Sequence, residues 1–170
     1  MIEEVQYFGY GANRNPEMME AIVGRVPEGY PAKISGFELC VESWEDIPEP
    51  ARRILSSSWD SSFRSYCVRP SGNLRGSVKG HVWKLTREER RLVGNWEMTG
   101  LWYKVFVLQY PIYPSREVQI EIQVINDPKV KKVFSGRRYK TYLNKPKKML
   151  NVARETRESY LKEKALLTKP

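Results

Sequence analysis

The chain has 170 residues, 41% of them hydrophobic, with five Trp and ten Tyr, a length suited to one domain spanning 1–170 with a sizeable core. No apolar run approaches the ~18 residues of a membrane helix, and MIEEVQYF lacks the basic start of a secretory leader, so a membrane or secreted protein is not expected. The net charge is +9, yet nine of the 29 basic residues stand between Lys129 and Lys148 with no acid among them, leaving 20 basic against 20 acidic residues elsewhere.

Residues 4–9, EVQYFG, read as a short strand. Asn15-Pro16-Glu17 has the residues of a helix start: an Asn cap, Pro in the first turn, then an acid. Met18, Met19, Ile22 and Val23 give an apolar stripe at helical spacing, and Gly24 is the expected stop. Residues 32–44 read as one extended strand, and 45–62, rich in Pro, Ser and Asp, as an irregular loop around a short basic turn. Residues 63–70 are strand-like, and PSGNLRG (70–76) carries turn chemistry.

SVKGHVWKL (77–85) is another strand. Thr86 and Glu89 match a capping box, so a short helix follows, expected to end near Gly94. The clearest strands are 101–111 and 117–125; in the second, Val118, Ile120, Ile122 and Val124 alternate with polar residues, the period of a half-buried strand. YPSR is expected to join them as a hairpin turn. A C-terminal helix is expected over 149–166. About six strands, mostly without intervening helices, and three helices predict an α+β fold: a small mixed or antiparallel sheet closed into a β-barrel, with flanking helices.

Cys40 and Cys67 have no metal-ligand or redox spacing, which suits small buried apolar residues in a reducing, cytoplasmic compartment. His81 is the only histidine, and no nucleophile-elbow motif accompanies it. No Cys/His/Asp cluster has metal-ligand spacing, so no metal and no cofactor are expected.

The junction YFGYGANRNPEMME (7–20) is more informative. Gly9-Tyr10-Gly11 opens like a dinucleotide fingerprint, but the third glycine is replaced by Arg14, and close helix–strand packing needs it. What remains is a tight glycine turn that exposes backbone N–H groups just ahead of a helix N-terminus, a corner suited to a carboxylate or phosphate. An ordinary strand-to-helix turn would read the same.

Strand, Tyr10-Gly11-Ala12-Asn13, then helix resembles the Y-G-S-N loop of the gamma-glutamylcyclotransferase-like family. The run from Ser77 to Tyr110 resembles that family's central block: a strand with an embedded glycine (Gly80), a short helix, an acidic residue (Glu97), then Tyr103 opening the next strand. Arg138-Tyr139-Lys140-Thr141-Tyr142-Leu143 followed by a helix resembles its closing segment. The chain departs from the family at Ala12, where Ser is usual, at Val93-Gly94, where Leu-Asp is usual, and in LNKPKKMLN, which lacks the Gly-rich stretch of some members.

The resemblance implies an enzyme that releases 5-oxoproline and an amine from a gamma-glutamyl compound. The substrate's own α-amine attacks its γ-carbonyl. Holding both reacting groups in one folded molecule supplies much of the acceleration. The resemblance assigns Glu97 as the acid/base, the loop Tyr10, Gly11, Ala12 and Asn13 as the binder of the substrate carboxylate, and Tyr103 and Tyr139 as pocket walls. Trp96, Met98 and Trp102 around Glu97 would desolvate it and raise its pKa. The basic segment 129–148 admits two other partners: an acidic carrier protein bearing the gamma-glutamyl group, or, for a non-catalytic binding protein on the same fold, nucleic acid, with Phe134, Tyr139 and Tyr142 interleaved for base stacking. The leaving amine and the oligomeric state are not written in the sequence.

Overall fold

A computed structural model describes residues 4–72, 75–112, 116–125 and 139–167. Among these residues the fold is mixed α+β, with seven strands and four α-helices. The first strand, β1 (Glu4–Gly9), matches its expected bounds. Successive residues of a strand face opposite sides, and here Tyr7 and Phe8 are 1% and 0% exposed, so β1 is buried on both faces. Tyr7 packs with helical residues such as Met18, Leu92 and Met149. Phe8 packs with Leu39, Val68, Ile120 and Ile122. Burial of one such aromatic contributes ~1.5–3 kcal/mol.

α1 (Pro16–Val23) also matches its signals: the Asn15 side chain accepts from the Glu17 N–H, and Gly24 takes the left-handed conformation at φ 93°. The expected single strand over 32–44 is instead two, β2 (Gly29–Ser35) and β3 (Phe37–Glu42). Gly36 divides them at φ +83°, a backbone conformation open to glycine at no steric cost, and the two strands enter different sheets. The segment expected to be irregular holds a helix, α2 (Glu49–Leu55). Pro50 suggested a loop, but proline fits the first helical turn, where its missing N–H has no intrahelical partner to lose.

β4 (Ser65–Pro70) pairs with β3 alone as a two-stranded antiparallel sheet. β5 (Ser77–Thr86) leads through the Thr86–Glu89 capping box into α3 (Arg87–Trp96), which runs past Gly94. β6 (Tyr103–Ile112) and β7 (Arg116–Ile125) form the expected antiparallel pair. α4 (Pro146–Leu167) closes the described chain. The five-stranded sheet has the order β2-β5-β1-β7-β6, mixed because β1 runs antiparallel to β5 and parallel to β7.

The expected closed barrel is not found. Among the described residues no ladder joins the outer strands β2 and β6, and β3–β4 form a separate sheet. Strand count and alternation are alike for a barrel and for two facing sheets. The kink at Gly36 removes β3 from the ladder that closure would need. The hairpin turn at 113–115, part of the 70–76 turn (73–74) and the first half of the basic segment (129–138) lie outside the described residues.

Candidate functional site

The glycine loop is shaped by close approach. A Cβ on Gly9 would stand 2.3 Å from the Asn13 carbonyl oxygen, and Gly11 sits at φ +57° with the Tyr66 ring 3.0 Å from where a Cβ would be. Between strand and helix comes a 3₁₀ turn, Gly11–Arg14, in which the Asn13 N–H donates to the Tyr10 carbonyl (3.1 Å). The indole N–H of Trp83 on β5 donates to the Asn13 carbonyl at 2.8 Å. This turn separates the glycines from α1, and Asn15 caps that helix, so the expected convergence of glycine N–H groups with the helix terminus is not formed. The Gly11 N–H instead donates to the Tyr139 hydroxyl.

Asn13 is 4% exposed, and its side chain is the hub. Its amide nitrogen donates to the Tyr7 hydroxyl at 2.9 Å and to Oε1 of Glu97. Loop and acid, 84 positions apart in sequence, are thus in direct contact. Glu97 occupies the C-cap of α3. Beyond it Met98 is left-handed at φ 49°, while the Met98 and Thr99 N–H groups donate to the carbonyls of Asn95 (3.2 Å) and Gly94 (2.9 Å). That is a Schellman ending with Met where Gly is usual. It turns the chain sharply after Glu97, ahead of Trp102 and Tyr103.

Glu97 is half-buried at the pocket wall. Desolvation raises its pKa from 4.5 to about 7, against the opposing pull of the Arg90 charge and the Asn13 hydrogen bond. Arg90 is 9% exposed, paired with Glu121 (2.6 Å) and placed over the Tyr7 ring (5.3 Å). A carboxyl near neutrality can both accept and return a proton at physiological pH.

The other expected residues, Tyr139 apart, join the same place. Tyr10 donates to the Gln123 carbonyl at 2.8 Å. Tyr103 donates to the Tyr66 carbonyl at 3.0 Å and to Oε2 of Glu42 at 3.3 Å. Tyr10, Gly11, Ala12, Asn13, Glu97 and Tyr103 all line one cavity of about 370 Å³. Tyr139, expected as a pocket wall, is not among the residues lining the cavity; it stands behind the loop, its hydroxyl accepting from the Gly11 N–H and its ring edge-on to Tyr66 at 5.1 Å.

Three contributors escaped the sequence reading. Arg14, read there only as a missing glycine, lays its guanidinium over the Tyr139 ring (3.7 Å) and donates to the Tyr139 carbonyl (2.7 Å). It clamps the closing segment onto the loop. Glu42 on β3 is fully buried beneath the site; it accepts from the Trp102 indole at 3.0 Å, and burial raises its pKa to about 8. It does not line the cavity, which leaves Glu97 as the only carboxylate among the described lining residues. The third is Trp59 and Phe63, which extend the aromatic wall beyond Trp96 and Trp102, the residues already expected beside Glu97. No local signal marked any of these.

His81 stacks on Trp83 (3.9 Å) and is absent from the cavity lining. Among the described residues no group of three or more His, Cys, Asp or Glu side chains could hold a metal ion.

No protein-family model matches the sequence, and no curated protein does at the sequence level. Solved structures do match. A gamma-glutamyl cyclotransferase superposes with a TM-score of 0.55 at 16% identity, over 97% of this chain and 86% of that one. The chain has the gamma-glutamyl cyclotransferase-like fold. An uncharacterized Homo sapiens protein shares it to the same degree (TM-score 0.55, 16% identity, 97% and 86% coverage). So does an Arabidopsis thaliana protein, with a TM-score of 0.53 at 19% identity over 98% of this chain and 95% of that one. On this fold the loop after β1 and the acid after α3 meet in one cavity.

Proposed function

We propose that the chain is a gamma-glutamylcyclotransferase-type enzyme, acting as one domain over residues 1–170 on a small gamma-glutamyl substrate in the cytoplasm. The contact between Asn13 and Glu97 inside the cavity carries this reading. It unites the two motifs that the reaction requires, and desolvation raises the pKa of the half-buried acid to about 7.

In the proposed reaction the loop Tyr10–Asn13 holds the α-carboxylate of the glutamyl group. The Tyr139 hydroxyl oxygen, which accepts from the Gly11 N–H, stands where a carboxylate oxygen would be received. Ionised Glu97 takes a proton from the α-ammonium. The freed amine attacks the γ-carbonyl, a new C–N bond closes the five-membered lactam, and the old C–N bond to the leaving amine breaks. The attacking nitrogen loses two protons and the leaving nitrogen gains two, with Glu97 relaying them. Asn13 fixes the carboxyl for this relay, and the aromatic wall keeps water away.

The test is 5-oxoproline release from gamma-glutamyl amino acids, gamma-glutamyl amines and glutathione. Glu97→Gln is expected to lower kcat/KM by ~10²-fold or more, the scale of a lost general acid/base, with the folded state checked by thermal melting. Release that ignores Glu97→Gln would remove the assigned acid/base; absence of release from the whole panel would remove the reaction.

The nucleic-acid reading of the basic segment loses support from its aromatics. Tyr139 packs behind the Tyr10–Asn13 loop, and Tyr142 packs against the core beside α4; neither is presented for base stacking. Phe134 lies outside the described residues.

A further inference from the structure

The cavity is larger than the glutamyl unit needs, and its surplus has a definite chemistry. Ligand cavities of ~300–1,000 Å³ bury drug-sized molecules, whereas a glutamyl group is a single residue. Trp102 connects the reaction end to the rest: it stacks on Tyr103 at 4.8 Å and lies 6.5 Å from Phe63. From Phe63 the wall continues through Trp59 (5.0 Å between rings) to Ile54 and Leu55 at the end of α2, and to Met149 and Val152 on α4. Ile54 is 50% exposed, an apolar side chain left facing the open cavity.

Charge narrows the class further. Among the described lining residues Arg64 is the only basic one and Glu97 the only acidic one. Arg64 uses Nη1 to donate to the carbonyls of Ser61 (2.9 Å) and Phe63 (2.8 Å). These bonds leave the rest of its guanidinium fork for another acceptor. A neighbouring depression shares Ser57, Ser58 and Val152 with the cavity and adds Lys145, Lys147, Lys148, Asn151 and Glu155. A leaving group with a second ammonium, such as a polyamine or a lysine side-chain amide, meets Glu97 as the sole carboxylate among the described cavity-lining residues and a rim where three lysines outnumber the one acid, Glu155. A polar dipeptide such as cysteinylglycine has little apolar surface to bury against the wall.

Building on the cyclotransferase reading, we propose that the leaving amine is an amino acid with a bulky apolar side chain. The substrate is then a gamma-glutamyl dipeptide whose second residue is of the Phe or Leu kind. Its side chain lies against Ile54, Leu55, Trp59 and Phe63, and its carboxylate points to Arg64 and the lysine rim. The segment 54–64 therefore selects the substrate, while the Tyr10–Asn13 loop and Glu97 perform the chemistry.

The experiment compares kcat/KM for 5-oxoproline release from gamma-glutamyl-phenylalanine, gamma-glutamyl-glycine, the gamma-glutamyl amide of the lysine ε-amine, and gamma-glutamyl-phenethylamine. A few methylenes in an apolar pocket are worth ~10–200-fold; phenylalanine is accordingly expected to exceed glycine by ~10-fold or more. Ile54→Ser, at a half-exposed position and with the folded state checked by thermal melting, is expected to cut that ratio several-fold. Arg64→Gln is expected to lower the ratio of phenylalanine to phenethylamine, which keeps the ring and lacks the carboxylate, by about tenfold, as for a lost charge-assisted hydrogen bond. Equal or better turnover of the glycine or lysine substrate would overturn the inference and leave the cyclotransferase reading standing. No release from any of the four would overturn both.

Discussion

Glu97 and Glu42 show one residue type set to two tasks by surroundings. Both have raised pKa values from burial, to about 7 and about 8. Glu97 faces a cavity and an amide; Glu42 is sealed under Trp102 and Tyr103, with Asp46 adding repulsion and Cys67 a hydrogen bond. Two pH effects follow. The proposed base must be ionised, so kcat/KM is expected to fall on the acid side with a midpoint near pH 7, read from a pH–rate profile. For stability the sign runs the other way. A carboxyl whose folded pKa is raised keeps a proton that the unfolded chain has already released, so stability falls as pH rises toward the folded value. Burial of His81 lowers its pKa, an effect confined to pH below ~6.5, the unfolded histidine value. Between pH 6.5 and 8, Glu42 alone is expected to cost about 1.5–2 kcal/mol. Urea unfolding of Glu42→Gln across that window is expected to show a much flatter slope than the parent chain.

At the level of elements, the site depends on how closely β1 and β5 approach. A Cβ on Gly80 would stand 2.4 Å from the Gly9 carbonyl oxygen and 2.5 Å from the Phe8 ring. The embedded glycine of β5 therefore lets the loop after β1 sit down on the sheet. Gly80→Ala is expected to destabilise by ~1–3 kcal/mol through overpacking, measured by urea denaturation. It is also expected to raise KM, because Asn13 follows Gly9. α3 ends near Gly94, as expected, but Gly94 is not itself the stop. A glycine within a helix reads as a stop, yet the helix continues to Trp96, and the left-handed turn falls on Met98. The preference against Met in that conformation is about 1–2 kcal/mol, and tertiary contacts outweigh it: Met98 packs against the core and the Trp102 N–H donates to its carbonyl at 3.0 Å.

Across the molecule, α4 ties the last part of the chain to the first. Met149 and Ala153 are buried in the same cluster as Met18, Met19 and Ile22 of α1, and Arg157 donates to the carbonyls of Glu20 (3.0 Å) and Ala21 (3.2 Å) at the end of α1. A cation at a helix C-terminus is worth ~0.3–1 kcal/mol, and the bonds to exposed carbonyls add to it. Arg157→Ala is expected to lower stability by about 1 kcal/mol in thermal unfolding. Met149, Val152 and Thr156 of α4 line the cavity, so loosening this helix is also expected to reduce turnover. Cys40 and Cys67 make the same point about distance. They share no sequence motif, yet they face each other across the β3–β4 ladder as free, buried thiols.

The local signals determined what local physics controls. The Asn15 cap, the Thr86–Glu89 box, the alternation in β7 and the apolar stripe of α1 each concern residues within a few positions of one another, and each element stands where its signal placed it. The glycine loop and Glu97 were legible as motifs for the same reason, being short and contiguous. The tertiary structure decided what depends on contacts between distant segments: the open sheet in place of a barrel, the proline-started α2, and the Arg14 clamp on Tyr139. The burial that shifts Glu42, and the wall assembled from 54–64, 96–102 and α4, were likewise decided there, whereas the desolvation of Glu97 was already expected from its neighbours Trp96, Met98 and Trp102. Desolvation and cavity shape are properties of a neighbourhood, and a neighbourhood exists only once the chain has folded.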